Sequence, residues 1–268
     1  MVTVVSEAPT QAPAESRKRA LSILGVLAAL AGGVVIWYGV GLLVPRFPLA
    51  HEVVASGWNL LVTPSSYVDL LATFRRVLIG FVGATILGIP LGTLMGASPI
   101  WRGLFKPWTI GALSIPGPVA IITAILILGI GESSALVALV VSVLPYVSNI
   151  IMDSVGGLDH ALDDAARVFR ISKRDKWRHV IAPQLLPGIF AAVRTAFALS
   201  WKLVVVIEAL GTSRGVGSQM QRSFRVLDVA EGIAWAVLFT LIMWGVEVLV
   251  FKRIESHLLR WRPEVRAI

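Results

Sequence analysis

Six long apolar runs set most of what this chain can become. They cover about 21–44, 70–96, 108–130, 135–156, 187–210 and 230–251 of its 268 residues. Each could cross roughly 30 Å of hydrocarbon as a helix, which takes about 20 residues. Strands of a membrane barrel would alternate over roughly ten residues, and these runs do not. With 56% of residues hydrophobic and only 15% charged, and a mean hydropathy of +0.80, a single solvated globule of this size could not hide its apolar surface. The predicted fold class is an all-α integral membrane protein of about six transmembrane helices. Pro90, Pro116, Pro118 and Pro145 fall inside the runs, where membrane helices tolerate kinks.

The run 21–44 is longer than the roughly 7–15 residues of a signal-peptide core, and no small-residue cleavage site closes it. It reads as a span. Residues 1–19, rich in Ala, Pro, Glu and Ser and ending in Arg17-Lys18-Arg19, read as a flexible tail. The expected division continues with 20–64 as the first transmembrane helix and external loop, 65–256 as the core, and 257–268 as a C-terminal tail.

Lys and Arg number 24 against 16 Asp and Glu. In a soluble protein that excess would suggest nucleic acid. Placement says otherwise. With six spans, 16 of the 24 basic residues fall on one side, in the tail, the 97–107 loop, the 157–183 loop and the end beyond 251. The opposite loops hold Arg46, Arg214, Arg222 and Arg225. The positive-inside rule then puts both termini and the 157–183 loop in the cytoplasm. Lipid is an expected partner and nucleic acid is not. With no cysteine, disulfides, thiol nucleophiles and iron–sulfur clusters are excluded.

Gly88, Gly92 and Gly96 repeat at four-residue spacing, so they share one helix face and admit a second backbone. That neighbour is either another helix of the same chain or a second subunit. The 157–183 loop is too long and too patterned for a simple connection. Leu162, Ala165, Ala166 and Phe169 share one helical face. Asp163 and Arg167 stand four apart in the stabilising order. After a break at Arg170-Ile171, Ser172 as N-cap and Asp175 at N3 form a capping box. The helix it opens carries Trp177 beside Val180 and Ile181, and Pro183 ends it. A helix–turn–helix of this kind either lies on anionic lipid or docks into a groove on a partner.

The same residues carry a family resemblance. Asp164-Ala165-Ala166, three residues, Arg170, nine residues and then Val180-Ile181-Ala182-Pro183 resemble Glu-Ala-Ala-x3-Gly-x9-Ile-x-Leu-Pro, the cytoplasmic motif of permease subunits of binding-protein-dependent ABC importers. Leu185 to Ile189, Trp201-Lys202 and Val206 to Gly211 continue the match. Thr73 to Phe81 resembles the opening of the permease domain, and Arg260-Trp261-Arg262 its end. The pattern is most similar to the nitrate/sulfonate/taurine-type permeases over roughly 65–262. Asp164 keeps the charge of the motif Glu, and Ala182 is smaller than the motif Leu. Arg170 stands where the motif has Gly, so either the turn avoids positive φ or the docking surface is altered. Positive φ costs a residue with a Cβ about 1 kcal/mol or more.

The resemblance implies an importer permease in the cell (inner) membrane, moving a small anion or organic anion. It implies a second permease copy as homodimer, two ABC ATPase subunits docked on the loop, and an extracytoplasmic substrate-binding protein. Asp163, Asp164, Ala165, Ala166, Phe169, Arg170, Ser172, Trp177 and Pro183 are the candidate docking residues. A non-conducting membrane scaffold that docks an ATPase is the alternative. The chain has no Gly-x4-Gly-Lys-Ser/Thr phosphate loop, so ATP and Mg²⁺ are expected on the partner ATPase and no cofactor or catalytic residue in this chain. Gly211, Gly215 and Gly217 miss the dinucleotide spacing and read as a turn. Lys202 falls near mid-depth of the fifth run, where a lysine costs ~2.5–3.5 kcal/mol on insertion scales. It either pairs with Glu208 or Glu231, or lines an anion path with Glu208 nearby. Arg194 is expected to snorkel. The four histidines are scattered, so no zinc site is expected. Ser200 and Lys202 lie on different helix faces and make no serine enzyme.

Overall fold

A computed structural model describes residues 12–258. Among them every regular element is helical: α1 (Ala12–Leu43), α2 (Ala50–Val62), α3 (Pro64–Ala97), α4 (Pro99–Ser114), α5 (Gly117–Leu128), α6 (Glu132–Gly156), α7 (His160–Val168), α8 (Lys173–Lys176), α9 (Ala182–Gly211), α10 (Val216–Arg225), α11 (Val229–Val246) and α12 (Lys252–Leu258). π-helical turns at Trp177–Ile181 and Glu247–Phe251 join α8 to α9 and α11 to α12. Pro64–Ala97, Glu132–Gly156, Lys173–Gly211 and Val229–Leu258 are each long and apolar enough to cross a membrane.

The glycine stripe fixes how the bundle closes. A Cβ at Gly80 would strike Leu139, one at Gly88 Val147, one at Gly92 the Ser148 carbonyl and Ile151, and one at Gly96 Val155. The neighbour predicted for the glycines is therefore α6 of the same chain. Contacts advance together along both helices, so α3 and α6 run parallel. The segment between them must carry the chain back across the bundle, which makes α4 and α5 one crossing.

That crossing is broken more sharply than the kinked span expected over 108–130. Its halves meet at a bend of 102°. Ile115 precedes a proline and is held extended at ψ 122°, as the proline ring demands. Pro116 then has no N–H to continue the ladder, and α5 restarts at Gly117. Two prolines within three residues break what one would only kink.

α9 returns antiparallel to α6, and α11 returns antiparallel to α9. Phe197 packs on both Phe81 and Phe251, with ring centroids 5.8 and 5.0 Å away. Trp235, Phe239 and Met243 of α11 are buried in the same core. The bundle thus has a hairpin end, carrying α7 and α8, and an opposite end, carrying α2 and α10. The segments expected as simple outer loops contain these two helices, each short and packed on the bundle.

The tail expected over 1–19 is in part helix, because α1 begins at Ala12. Pro13 suits a first helical turn, where its missing N–H has no partner to lose, and Ala, Glu, Lys and Arg propagate helix well. The remainder of that tail, the side chains of Arg17-Lys18-Arg19, Arg260-Trp261-Arg262 and most of 257–268 lie outside the described residues.

Candidate functional site

The hairpin is built by its caps. Asp159 accepts the Ala161 N–H at 2.8 Å and opens α7, and its own N–H is held by Gln184 Oε1 at 2.9 Å. At the far end the Ile171 N–H reaches the Ala166 carbonyl and the Arg170 N–H the Arg167 carbonyl, both at 3.0 Å. That pair of bonds is a Schellman closure, with Arg170 at the left-handed position. Its φ is 52°. The turn has kept the glycine geometry without the glycine, at a cost of roughly 1–2 kcal/mol. Ser172 then caps α8, accepting the Asp175 N–H at 3.2 Å. Only half of the expected capping box forms. The Asp175 carboxylate takes the Ser172 hydroxyl at 2.6 Å rather than a backbone N–H.

Pro183 does not end the second helix. It sits half-buried in the first turn of α9, and the chain runs as one rod from Lys173 to Gly211. A proline ring clashes with the carbonyl four residues back. The π turn immediately upstream widens the ladder and removes the clash, and the Ala182 N–H reaches back to the Trp177 carbonyl.

The expected apolar face of α7 is divided. Ala166 is buried at 3% exposure, whereas Phe169 is 77% exposed and Leu162, Asp164 and Ala165 also face outward. Trp177 is 57% exposed in the π turn. The Asp163 side chain lies outside the described residues. An uncovered Phe closing α7 and an uncovered Trp near the start of the Lys173–Gly211 rod thus flank the hairpin turn, and Lys173, Arg174 and Arg178 are exposed as well.

At the other end of that rod sits a charged knot. Glu208 is fully buried. Its carboxylate accepts from Arg76 Nη1 at 2.5 Å, Thr73 Oγ1 at 2.8 Å and the Gly217 N–H at 3.0 Å. Arg76 also donates to the Arg214 carbonyl at 2.7 Å and, through Nε and Nη2, to both oxygens of Glu132. Asp69 accepts the Gly215 N–H at 2.9 Å and Gln219 Nε2 at 2.5 Å, and Thr73 Oγ1 the Val216 N–H at 2.8 Å. A buried ion pair survives desolvation only when such extra bonds fill its remaining positions. Gly215, at φ 122°, brings the turn backbone against the carboxylate, and a Cβ there would occupy the carboxylate's place. Of the three glycines expected as a turn, Gly215 lies in it, with this further purpose, while Gly211 ends α9 and Gly217 lies in the first turn of α10.

Lys202 pairs with neither expected acid. Glu208 belongs to Arg76, and Glu231 lies in the first turn of α11, where its backbone N–H donates to the capping Asp228 carboxylate at 3.0 Å. Lys202 is exposed and lies 5.5 Å from the ring of its neighbour Trp201. Arg194 does more than snorkel, since it reaches Glu247 and Glu255 at 3.4 and 3.3 Å. Asp69, Thr73, Arg76 and Glu132 were not singled out as site residues by the sequence reading. The available signal was a base inside one apolar run and an acid inside another.

Residues 84–261 match the family of binding-protein-dependent transport system inner membrane components. The chain belongs to this family of ABC permeases. It is 32% identical to a probable ABC transporter permease protein of Brucella melitensis biotype 1, over 76% of this chain and 83% of that one. The taurine transport system permease protein TauC of Escherichia coli is 26% identical, across 94% of this chain and 93% of its own. A nitrate import permease protein, NrtB of Synechocystis, is 27% identical over 71% and 68%. The permease is thus of the nitrate/sulfonate/taurine type. The MetNI methionine ABC transporter in an inward-facing conformation has the same fold, with a TM-score of 0.61 at 17% identity over 74% of this chain and 99% of that one.

Proposed function

We propose that this permease is the conducting subunit of an ATP-driven importer for a small anion or organic anion, in the class of nitrate, sulfonates or taurine. Two copies enclose the pathway, two ATPase subunits carrying ATP and Mg²⁺ grip the α7–α8 hairpins from the cytoplasm, and an extracytoplasmic binding protein delivers the solute at the α2 end. One observation carries the reading: Phe169 and Trp177 are uncovered at the hairpin, and Trp177 stands on a helix that continues unbroken into the membrane core. Aromatic side chains left in solvent at the tip of a rigid element are what a partner's groove takes as anchors. Closure of the ATPase dimer on nucleotide moves the hairpins, and Lys173–Gly211 transmits that movement along its length. The driving force is the nucleotide's differential affinity for two states. Lys202, exposed and without a carboxylate partner among the described residues, is the residue we assign to the anion path.

The test uses Ala165, which is exposed, so added bulk there leaves the permease fold intact. Ala165→Trp should insert normally yet lose co-purification with the ATPase and lose transport. Unchanged co-purification would overturn the docking assignment. Unchanged transport by Lys202→Ala would remove that lysine from the path.

A further inference from the structure

We propose that a basic cavity beside the Arg76 knot is an oxyanion site. The cavity, about 280 Å³ in volume, is lined on one side by Arg75, Arg76, Arg214 and Glu132 and on the other by Val68 and Leu71. Three arginines and one glutamate therefore line it. That carboxylate is already engaged by two nitrogens of Arg76. Arg75 reaches it only at 3.4 Å, with 61% of its side chain exposed, a pairing that solvent makes weak. Arg214 has no side-chain partner among the described residues, since only its carbonyl is bound. Glu208 lies behind the wall, enclosed by Arg76, Thr73 and the turn backbone.

Guanidiniums offer paired N–H donors that suit an anion with oxygens in one plane or on one face, and Arg75 and Arg214 are the two lining arginines whose donors the fold leaves under-used. The volume falls just under the range for drug-sized ligands, which suits a compact head group. The Val68 and Leu71 wall suits a short alkyl tail. The chemistry selected is a sulfonate-like or nitrate-like oxyanion, or the phosphate of a lipid head group with the same oxygen geometry. This inference rests on the anion-importer reading for its biological sense, and not for the binding itself.

The experiment uses the full-length chain in phosphatidylcholine nanodiscs, titrated with 1-butanesulfonate by calorimetry against sodium chloride at equal ionic strength. Saturable binding is expected in the native chain. Arg75→Gln and Arg214→Gln should each weaken it about tenfold, the loss of one charge-assisted bond, with the unliganded melting point nearly unchanged because Arg75 touches the knot only through its exposed contact with Glu132 and the Arg214 side chain does not touch it. Arg225→Gln, an exposed arginine at the same end, should leave binding as it was. A second arm adds phosphatidylglycerol to the discs. Competition with butanesulfonate that depends on Arg75 and Arg214 assigns the same oxyanion chemistry to a lipid phosphate, and its absence assigns it to the soluble anion. Binding indifferent to both arginines, or no binding in either arm, overturns the site. ATPase co-purification is scored on the same variants. Its retention alongside failed anion binding leaves the importer reading standing, and its loss in the Ala165→Trp permease alongside intact anion binding leaves the oxyanion site standing.

Discussion

The two ends of the Lys173–Gly211 rod handle their exceptional residues in opposite ways. At the Glu208 end, charges that should not be inside are inside, and each is enclosed by partners from α3, α6, α9 and α10. At the hairpin end, aromatic side chains that should be covered are uncovered. Both ends contain a residue at positive φ, Gly215 in the knot and Arg170 in the hairpin turn. The knot uses glycine because a carboxylate fills the space where a Cβ would stand. The hairpin tolerates arginine because nothing presses on it, so the backbone cost alone is borne. One end is organised for internal closure and the other for a surface that something else completes.

Substitutions can break this contrast, beginning with the knot. Glu208→Leu leaves the Arg76 guanidinium with half its compensation and orphans the Gly217 N–H. A loss of about 3–5 kcal/mol in unfolding free energy is expected, as for other broken buried pairs. Thermal unfolding of the purified permease in detergent measures it, and a loss below 1 kcal/mol would mean the knot holds little. At the hairpin, Trp177→Ala should leave the melting point unchanged, since exposed sites typically move stability by less than about 0.5 kcal/mol. It should weaken ATPase binding by about 2 kcal/mol or more, roughly thirtyfold. A stability loss with unchanged binding would reverse the assignment of that end.

The paired turn positions sharpen the comparison with smaller effects of opposite sign. Gly215→Ala combines a backbone conformation that is essentially glycine-only with a collision against Glu208, and about 1–3 kcal/mol of destabilisation should follow. Arg170→Gly should stabilise the hairpin by about 1 kcal/mol, because it relieves the left-handed strain. Hydrogen-exchange protection of the 166–175 amides reads the second effect locally. Reduced protection there would mean the Arg170 side chain contributes something that its backbone geometry does not reveal.

Much of the fold was legible in advance because bilayers impose a length rule on apolar helices, and five of the six expected runs appear as described apolar crossings. The sixth, over 21–44, lies in α1 except for Val44, just past its end. The interior consequences of proline were less legible. Pro90 and Pro145 stay within continuous helices, Pro116 with Pro118 breaks one, and Pro183 is absorbed by a π turn. Sequence spacing distinguishes none of these outcomes, because each depends on whether a neighbouring turn can widen or a second proline lies close. Among candidate site residues, the hairpin's shape was legible because the spacing of its residues repeats a local pattern. The knot was missed because its members are drawn from positions 69, 73, 76, 132, 208 and 215–219, and no local pattern joins them. The pairing of Lys202 with Glu208 was excluded for the same reason: depth in a run says that a charge needs an explanation, and not which partner supplies it.

The linear order of residues was sufficient for a helical membrane chain, for a folded hairpin between its fourth and fifth apolar runs, and for the face by which α3 accepts a close neighbour. These are properties of local periodicity and of transfer from water to hydrocarbon, and both can be read one segment at a time. Only the tertiary structure decided that the glycine neighbour is α6, that Arg76 rather than Lys202 meets Glu208, and that an arginine can occupy the glycine geometry of the hairpin turn. Those outcomes depend on which backbones approach within a few ångströms, and that is settled by the packing of all the helices together.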